Sequence, residues 1–104
     1  MPPMRKVKKD WQTGLIGVGK GCYGYIQTGG LNISNAGLVV GSESCLVIDT
    51  LYVKPMAQTF QRAIRRVTKK PIGQIVYTHH HADHTLGSNF FPKKIPIIAH
   101  RFMR

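Results

Sequence analysis

Residues 76–87 read VYTHHHADHTLG, and they hold four of the chain's five histidines within six positions. The cluster begins where an apolar run, IGQIVYT (72–78), ends, and that run has the length and composition of a strand. Written as spacing, the pattern is His79-x-His81-x-Asp83-His84. Imidazole nitrogen and carboxylate oxygen suit zinc and related borderline ions. In extended backbone, residues two apart point the same way, so His79 and His81 can grip one ion. The chain then turns, and Asp83 and His84 project from a new direction. One short loop can thus serve two neighbouring ions with a water or hydroxide between them. An affinity tag does not fit, because the run is internal and broken by Ala82 and Asp83. Scattered surface histidines would not explain a position after a buried strand. A structural zinc site would favour cysteine, and Cys22 and Cys45 lie far off in sequence. A metal site of catalytic type is the expectation.

Upstream of the cluster, short apolar runs alternate with glycines: LIGV (15–18), CYGYIQ (22–27), AGLVVG (36–41) and CLVID (45–49). They predict strands, with turns at GG (29–30) and GSES (41–44). Two of the runs are continuously apolar, as in strands covered on both faces. A helix follows over 54–70, with Pro55 in its first turn and Pro71 as its stop. Met56, Phe60, Ala63, Ile64 and Val67 make its apolar stripe. Arg62, Arg65, Arg66 and Lys69 make a basic one, and cations in the last turns also complement the helix dipole. A helical turn near 83–90 and a strand IPIIA (95–99) close the chain. The predicted order is a β-meander followed by β-α-β, with the histidines at a strand's C-terminal end, where α/β layers place their sites.

Two glycine patterns mislead. GKGCYG (19–24) matches G-x-G-x-x-G, but the segment that follows, YIQTGG, is strand and turn where a dinucleotide fingerprint needs a helix. GLIGVGKG (14–21) nearly matches a phosphate loop, yet Gly21 stands where Ser or Thr would hold magnesium. Hairpin glycines are the expected reading of both.

The chain has 104 residues, 42% of them hydrophobic and 18% charged, which predicts one small domain. Residues 1–14 read as a basic arm and 15–104 as the domain. No apolar run approaches the ~20 residues of a membrane span, and the basic N-terminus leads into no apolar signal segment. Reduced, buried thiols in a cytoplasmic protein are the expected reading of the two cysteines. The formal charge of +11 would suit nucleic acid, anionic lipid or an acidic partner. No nucleic-acid motif accompanies it, so a solvated face is favoured.

With these residues in hand, THHHADHTLG (78–87) resembles the H-x-H-x-D-H signature of the metallo-β-lactamase superfamily. SNAGLVVGSESCLVIDT (34–50), the helix after it and PIIAH (96–100) fall in that family's order, so the resemblance runs from about Leu15 onward. It implies an α/β fold, the N-terminal half of an αββα metallo-β-lactamase-like sandwich. It implies that His79 and His81 ligate a first metal and Asp83 and His84 a second, as one or two Zn2+ ions. Asp49 would stand behind the ligands and brace their loop, while His80 and His100 would not be ligands. The implied activity is hydrolysis of a small-molecule ester, thioester, amide or phosphoester by a metal-activated hydroxide, with Asp83 orienting the nucleophile or taking its proton.

The remaining ligands of that family belong to a second half that this sequence does not contain. Strands apolar on both faces also call for more cover than one helix gives. A missing C-terminal half or a homo-oligomer is therefore expected. An RNA-processing or nucleic-acid-binding member of the same fold, and a non-catalytic metal-binding fragment, are the alternatives.

Overall fold

The computed structural model describes residues 14–27 and 34–101. The expected basic arm, apart from Gly14, lies outside the described residues, as do the GG turn at 29–30 and residues 102–104. Six strands form one sheet in chain order: β1 (Gly14–Gly19), β2 (Cys22–Ile26), β3 (Ala36–Val40), β4 (Cys45–Ile48), β5 (Ile72–Val76) and β6 (Ile97–Ile98). The first four pair antiparallel, and β4–β5 and β5–β6 pair parallel. The mixed α/β architecture implied by the sequence is what forms.

The strands pair so that side chains line up in rows. Tyr23, Leu38, Val47, Ile75 and Ile97 share one row. Helix α1 (Lys54–Val67) lies over that face, with Ala57, Phe60, Ala63 and Ile64 buried in one cluster with Leu38, Val47 and Ile75. The Phe60 ring packs 4.5 Å from Tyr25 and 6.3 Å, edge-on, from Phe91. Burying a side chain of that size contributes roughly 1.5–3 kcal/mol.

The helix ends earlier than the proline suggests. Thr68 is already extended, its hydroxyl accepts from the Lys70 N–H at 3.1 Å, and the Arg65 guanidinium donates to the Lys70 carbonyl at 2.6 Å. These side-chain bonds offer the backbone an alternative to another helical turn. Val67, placed in the apolar stripe by spacing, is therefore 37% exposed, and Met56 is only half-buried. The last strand is also shorter than IPIIA. Pro96 has no N–H for the ladder, so its carbonyl accepts from Ile75 at 2.9 Å and pairing begins at Ile97.

Gly19 and Gly24 belong to the first hairpin, and Gly21 makes its turn at φ +72, a conformation that glycine adopts without strain. No helix follows them, so the dinucleotide and phosphate-loop patterns are hairpin glycines. Cys45 is buried, whereas Cys22 is half-buried on the opposite sheet face; both thiols are unpaired. The expectation of two buried thiols holds for Cys45 alone.

The opposite face carries Ile16, Val39, Leu46, Ile48 and Val76, each only partly buried, and Ile98, 46% exposed. Among the described residues the helices pack on the other side. The sheet has one covered face and one open one, although two of its strands are apolar throughout.

Candidate metal centre

Parallel pairing of β4 with β5 brings the ends of both strands together. The Asp49 N–H continues the ladder to the Val76 carbonyl at 2.9 Å, which sets Asp49 beside the start of the histidine loop. Asp49 is 3% exposed, and its carboxylate accepts three hydrogen bonds. The Thr78 N–H donates at 2.8 Å, the Thr78 hydroxyl at 2.7 Å and His84 Nδ1 at 2.8 Å. Buried charge needs this degree of satisfaction.

Counting hydrogens fixes two imidazoles. A carboxylate only accepts, so His84 Nδ1 carries the hydrogen, and in the neutral imidazole Nε2 keeps its lone pair. Thr78 has one hydroxyl hydrogen, already directed at Asp49, so its oxygen can only accept from His79 Nδ1, 2.8 Å away. In its neutral form His79 therefore also presents a bare Nε2. One aspartate sets both tautomers, directly at His84 and through Thr78 at His79. An imidazole whose other nitrogen is held in this way is prepared as a metal ligand.

The rings converge. The His79 centroid is 4.7 Å from that of His81 and 4.1 Å from that of His84. Ligand atoms of His79, His81 and Asp83 lie within 4.8 Å of one another, and so do those of Asp49, His79 and His84. Asp83 Oδ2 is 3.6 Å from His84 Nε2, so the carboxylate borders both groups. In the second group, the Asp49 oxygens already serve three donors, which suits a brace better than a ligand. His80 is exposed, and neither it nor His100 belongs to either group among the described residues.

The turn that re-aims the chain is α2 (Ala82–Thr85), which continues into a 3₁₀ turn over Leu86–Phe90. His81 caps it, its carbonyl accepting from the His84 N–H at 3.0 Å. Three parts of the loop's support escape sequence reasoning. Ser34 donates from its hydroxyl to the Asp83 carbonyl at 2.6 Å. Thr50, fully buried, donates its N–H to the His84 carbonyl at 2.8 Å. Gly87 packs so closely that a Cβ there would stand 1.8 Å from the Thr50 carbonyl oxygen. A polar residue after an apolar strand and a glycine three places past His84 are the only sequence signals for the last two.

The donor set, imidazole nitrogens with a carboxylate, fits a zinc-type divalent ion. Its outer side is open: His81 is exposed, and the Asp83 side chain retains 33% of its surface. Such an arrangement can hold an ion while leaving positions for water and substrate.

Comparison with known proteins agrees. The family model of the metallo-beta-lactamase superfamily matches residues 29–103. The chain is 39% identical over 62 residues to the alkyl/aryl-sulfatase BDS1 of Saccharomyces cerevisiae, covering 59% of this chain and 10% of that protein. It is 34% identical over 64 residues to the 2,4-dinitroanisole O-demethylase subunit alpha of a Nocardioides species, covering 60% and 20%. It superposes on the inverting sec-alkylsulfatase Pisa1 from Pseudomonas sp. with TM-score 0.68 and 29% identity, over 78% of this chain and 12% of that one. On a metallo-beta-lactamase from Hirschia baltica the TM-score is 0.71 at 16% identity, over 86% and 43%, a likeness of fold.

Proposed function

Because the chain belongs to the metallo-beta-lactamase superfamily, we propose that it supplies the His79, His81, Asp83 and His84 side of a zinc-dependent hydrolase centre. The observation that carries this reading is the shared control of two imidazoles: Asp49 and Thr78 leave Nε2 bare on both His79 and His84. When bound, a divalent ion there supplies Lewis acidity and brings the pKa of a water close to neutrality. The chain's own residues do the rest. Asp83, on the open side, orients the attacking water or receives its proton. Asp49 keeps the imidazoles in one tautomer and fixes their direction.

The chain spans 10% and 20% of the length of the two curated relatives, and 43% of the Hirschia structure. The activity of a whole protein is accordingly part of the proposal. Further ligands would come from a second half or a second copy, seated on the open sheet face that carries Leu46, Ile48 and Val76. For substrate we favour a sulfate ester, a class absent from the esters and amides expected from sequence. The support is that two of the similar proteins are sulfatases, one at 39% and one at 29% identity.

The nucleic-acid alternative gains nothing from the fold. Helix α1 runs back from the end of β4 to the start of the parallel strand β5, which carries Arg65, Arg66 and Lys69 toward the opposite end of these strands from the histidine loop. The test is an assay of the protein as isolated from cells that make it, against an alkyl sulfate, a thioester and a β-lactam, with and without chelator. Chelator-sensitive release of sulfate is expected. Hydrolysis indifferent to chelator would contradict the metal reading, and turnover of the thioester or β-lactam alone would overturn the substrate class.

A further inference from the structure

Behind the histidine loop, three hydroxyls touch in series. The Thr50 hydroxyl lies 3.1 Å from the His84 carbonyl, 3.2 Å from the Thr85 carbonyl and 3.0 Å from Ser88 Oγ. Ser88 Oγ in turn meets the Tyr77 hydroxyl. Each hydroxyl has one hydrogen to give. The carbonyls only accept, and the Tyr77 hydroxyl also reaches the Thr85 carbonyl, at 3.4 Å. The hydrogens can therefore run from Tyr77 through Ser88 and Thr50 to His84 or Thr85, or from Thr50 through Ser88 and Tyr77 to Thr85. In either direction the chain ends on the main chain of the histidine loop.

The backbone around Thr50 is shaped for this contact. Asp49 and Leu51 have φ of 65 and 68, left-handed values that a leucine rarely adopts. Between them the Thr50 N–H also reaches the His84 carbonyl at 2.8 Å, and the Leu51 carbonyl accepts from the Gly87 N–H at 2.9 Å. Asp49 thus holds the ring of His84 while Thr50 holds its main chain.

We propose that Thr50 is a positioning residue for the metal centre: the hydroxyl chain Tyr77–Ser88–Thr50 fixes the main chain of His84, so that Nε2 stands ready before any ion arrives. This rests on His84 being a ligand, as proposed above. Losing an outer partner of a ligand typically lowers metal affinity about 10–100-fold. Thr50→Val keeps the side-chain shape and the N–H bond and removes only the hydroxyl.

The test is titration of the full chain with Co2+, followed by visible absorption, with folding verified by circular dichroism. Wild type, Thr50→Val, Thr50→Ser, Ser88→Ala and His84→Ala are compared. Thr50→Val should bind about tenfold more weakly, with an altered cobalt spectrum, and Thr50→Ser should bind like wild type. A merely structural role would change the melting temperature without moving the affinity or spectrum of the folded protein. If Thr50→Val does not fold, Ser88→Ala, which cuts the chain one link away, must weaken binding in the same direction. Wild-type affinity in the folded hydroxyl-deletion variants, with His84→Ala impaired, overturns this inference alone. Unchanged binding in His84→Ala, or no binding by wild type, overturns it together with the ligand assignment.

Discussion

The Asp49 carboxylate lies 2.8 Å from His84 Nδ1, although the two residues are 35 positions apart in the chain. The same oxygen accepts from the Thr78 hydroxyl at 2.7 Å, so a residue at the end of β4 ties the start of the loop to its far end. The histidine loop is consequently held by hydrogen bonds of the fold itself. Stability and metal affinity should therefore share one set of hydrogen bonds.

Asp49→Asn tests that linkage. An amide offers one accepting oxygen and a donor group that would face other donors, so one of the three bonds to Asp49 must fail. Metal affinity should fall about 10–100-fold, and stability by roughly 1–3 kcal/mol. Titration calorimetry and urea unfolding read the two effects. A variant that kept its stability and its affinity would show that the carboxylate is not the brace.

Gly87→Ala should be far more damaging than its size suggests. The new Cβ would stand 1.8 Å from the Thr50 oxygen and 3.0 Å from the Leu51 oxygen, both of them backbone. Either the strained turn at Leu51 or the 3₁₀ segment must move. A loss of about 3 kcal/mol, the upper end of ordinary overpacking, is expected in urea unfolding. A change within about 0.5 kcal/mol would mean the two segments do not approach as closely as described.

What the sequence shows of this site, and what it hides, follows from distance along the chain. His79, His81, Asp83 and His84 are legible because six consecutive positions carry all four of the proposed ligands, and an apolar strand leads into them. The strand order was legible for the same reason, since each strand pairs with its neighbour in sequence. Thr50, Ser34 and Gly87 were not. Each acts on a segment 34 or more residues away, and nothing local marks a serine, threonine or glycine for such a contact. The early end of α1 was hidden in the same way: Pro71 is visible, but the Arg65 and Thr68 bonds that stop the helix first are not.

The open sheet face predicts association. Ile16, Val39, Leu46, Ile48 and Val76 lie on one side with no helix over them among the described residues. An exposed apolar patch of several hundred Å² (about 25 cal/mol per Å²) would forfeit several kcal/mol. The formal charge of +11 opposes self-association at low salt, so raising salt should strengthen it. Sedimentation equilibrium at two salt concentrations should show a dimer or larger species growing with salt. A cooperatively folding monomer at micromolar concentration would show that these residues close a core alone.

Alkaline stability has one identifiable contributor. Burial pushes the Tyr25 phenol above its usual 10.0, with Arg66 and Arg62 partly opposing the shift. The neutral phenol is thus favoured in the fold, so its contribution is complete below the unfolded pKa and is lost as pH rises through the folded one. The melting temperature should begin to fall as pH rises past about 10, and Tyr25→Phe should fall less steeply. Parallel pH profiles for the two proteins would remove Tyr25 from the explanation.

The central claim is that four residues of one loop form a metal centre, and neighbouring histidines separate it from a non-specific cluster. His81 shares its ligand group with His79 and Asp83, whereas His80, one position earlier, is exposed and outside it. The direct measurement is atomic-emission analysis of bound zinc after exhaustive dialysis of wild type, His81→Ala and His80→Ala. The account predicts that His81→Ala loses most of the metal and that His80→Ala retains it as wild type does. Equal loss from both, or retention by both, would contradict it.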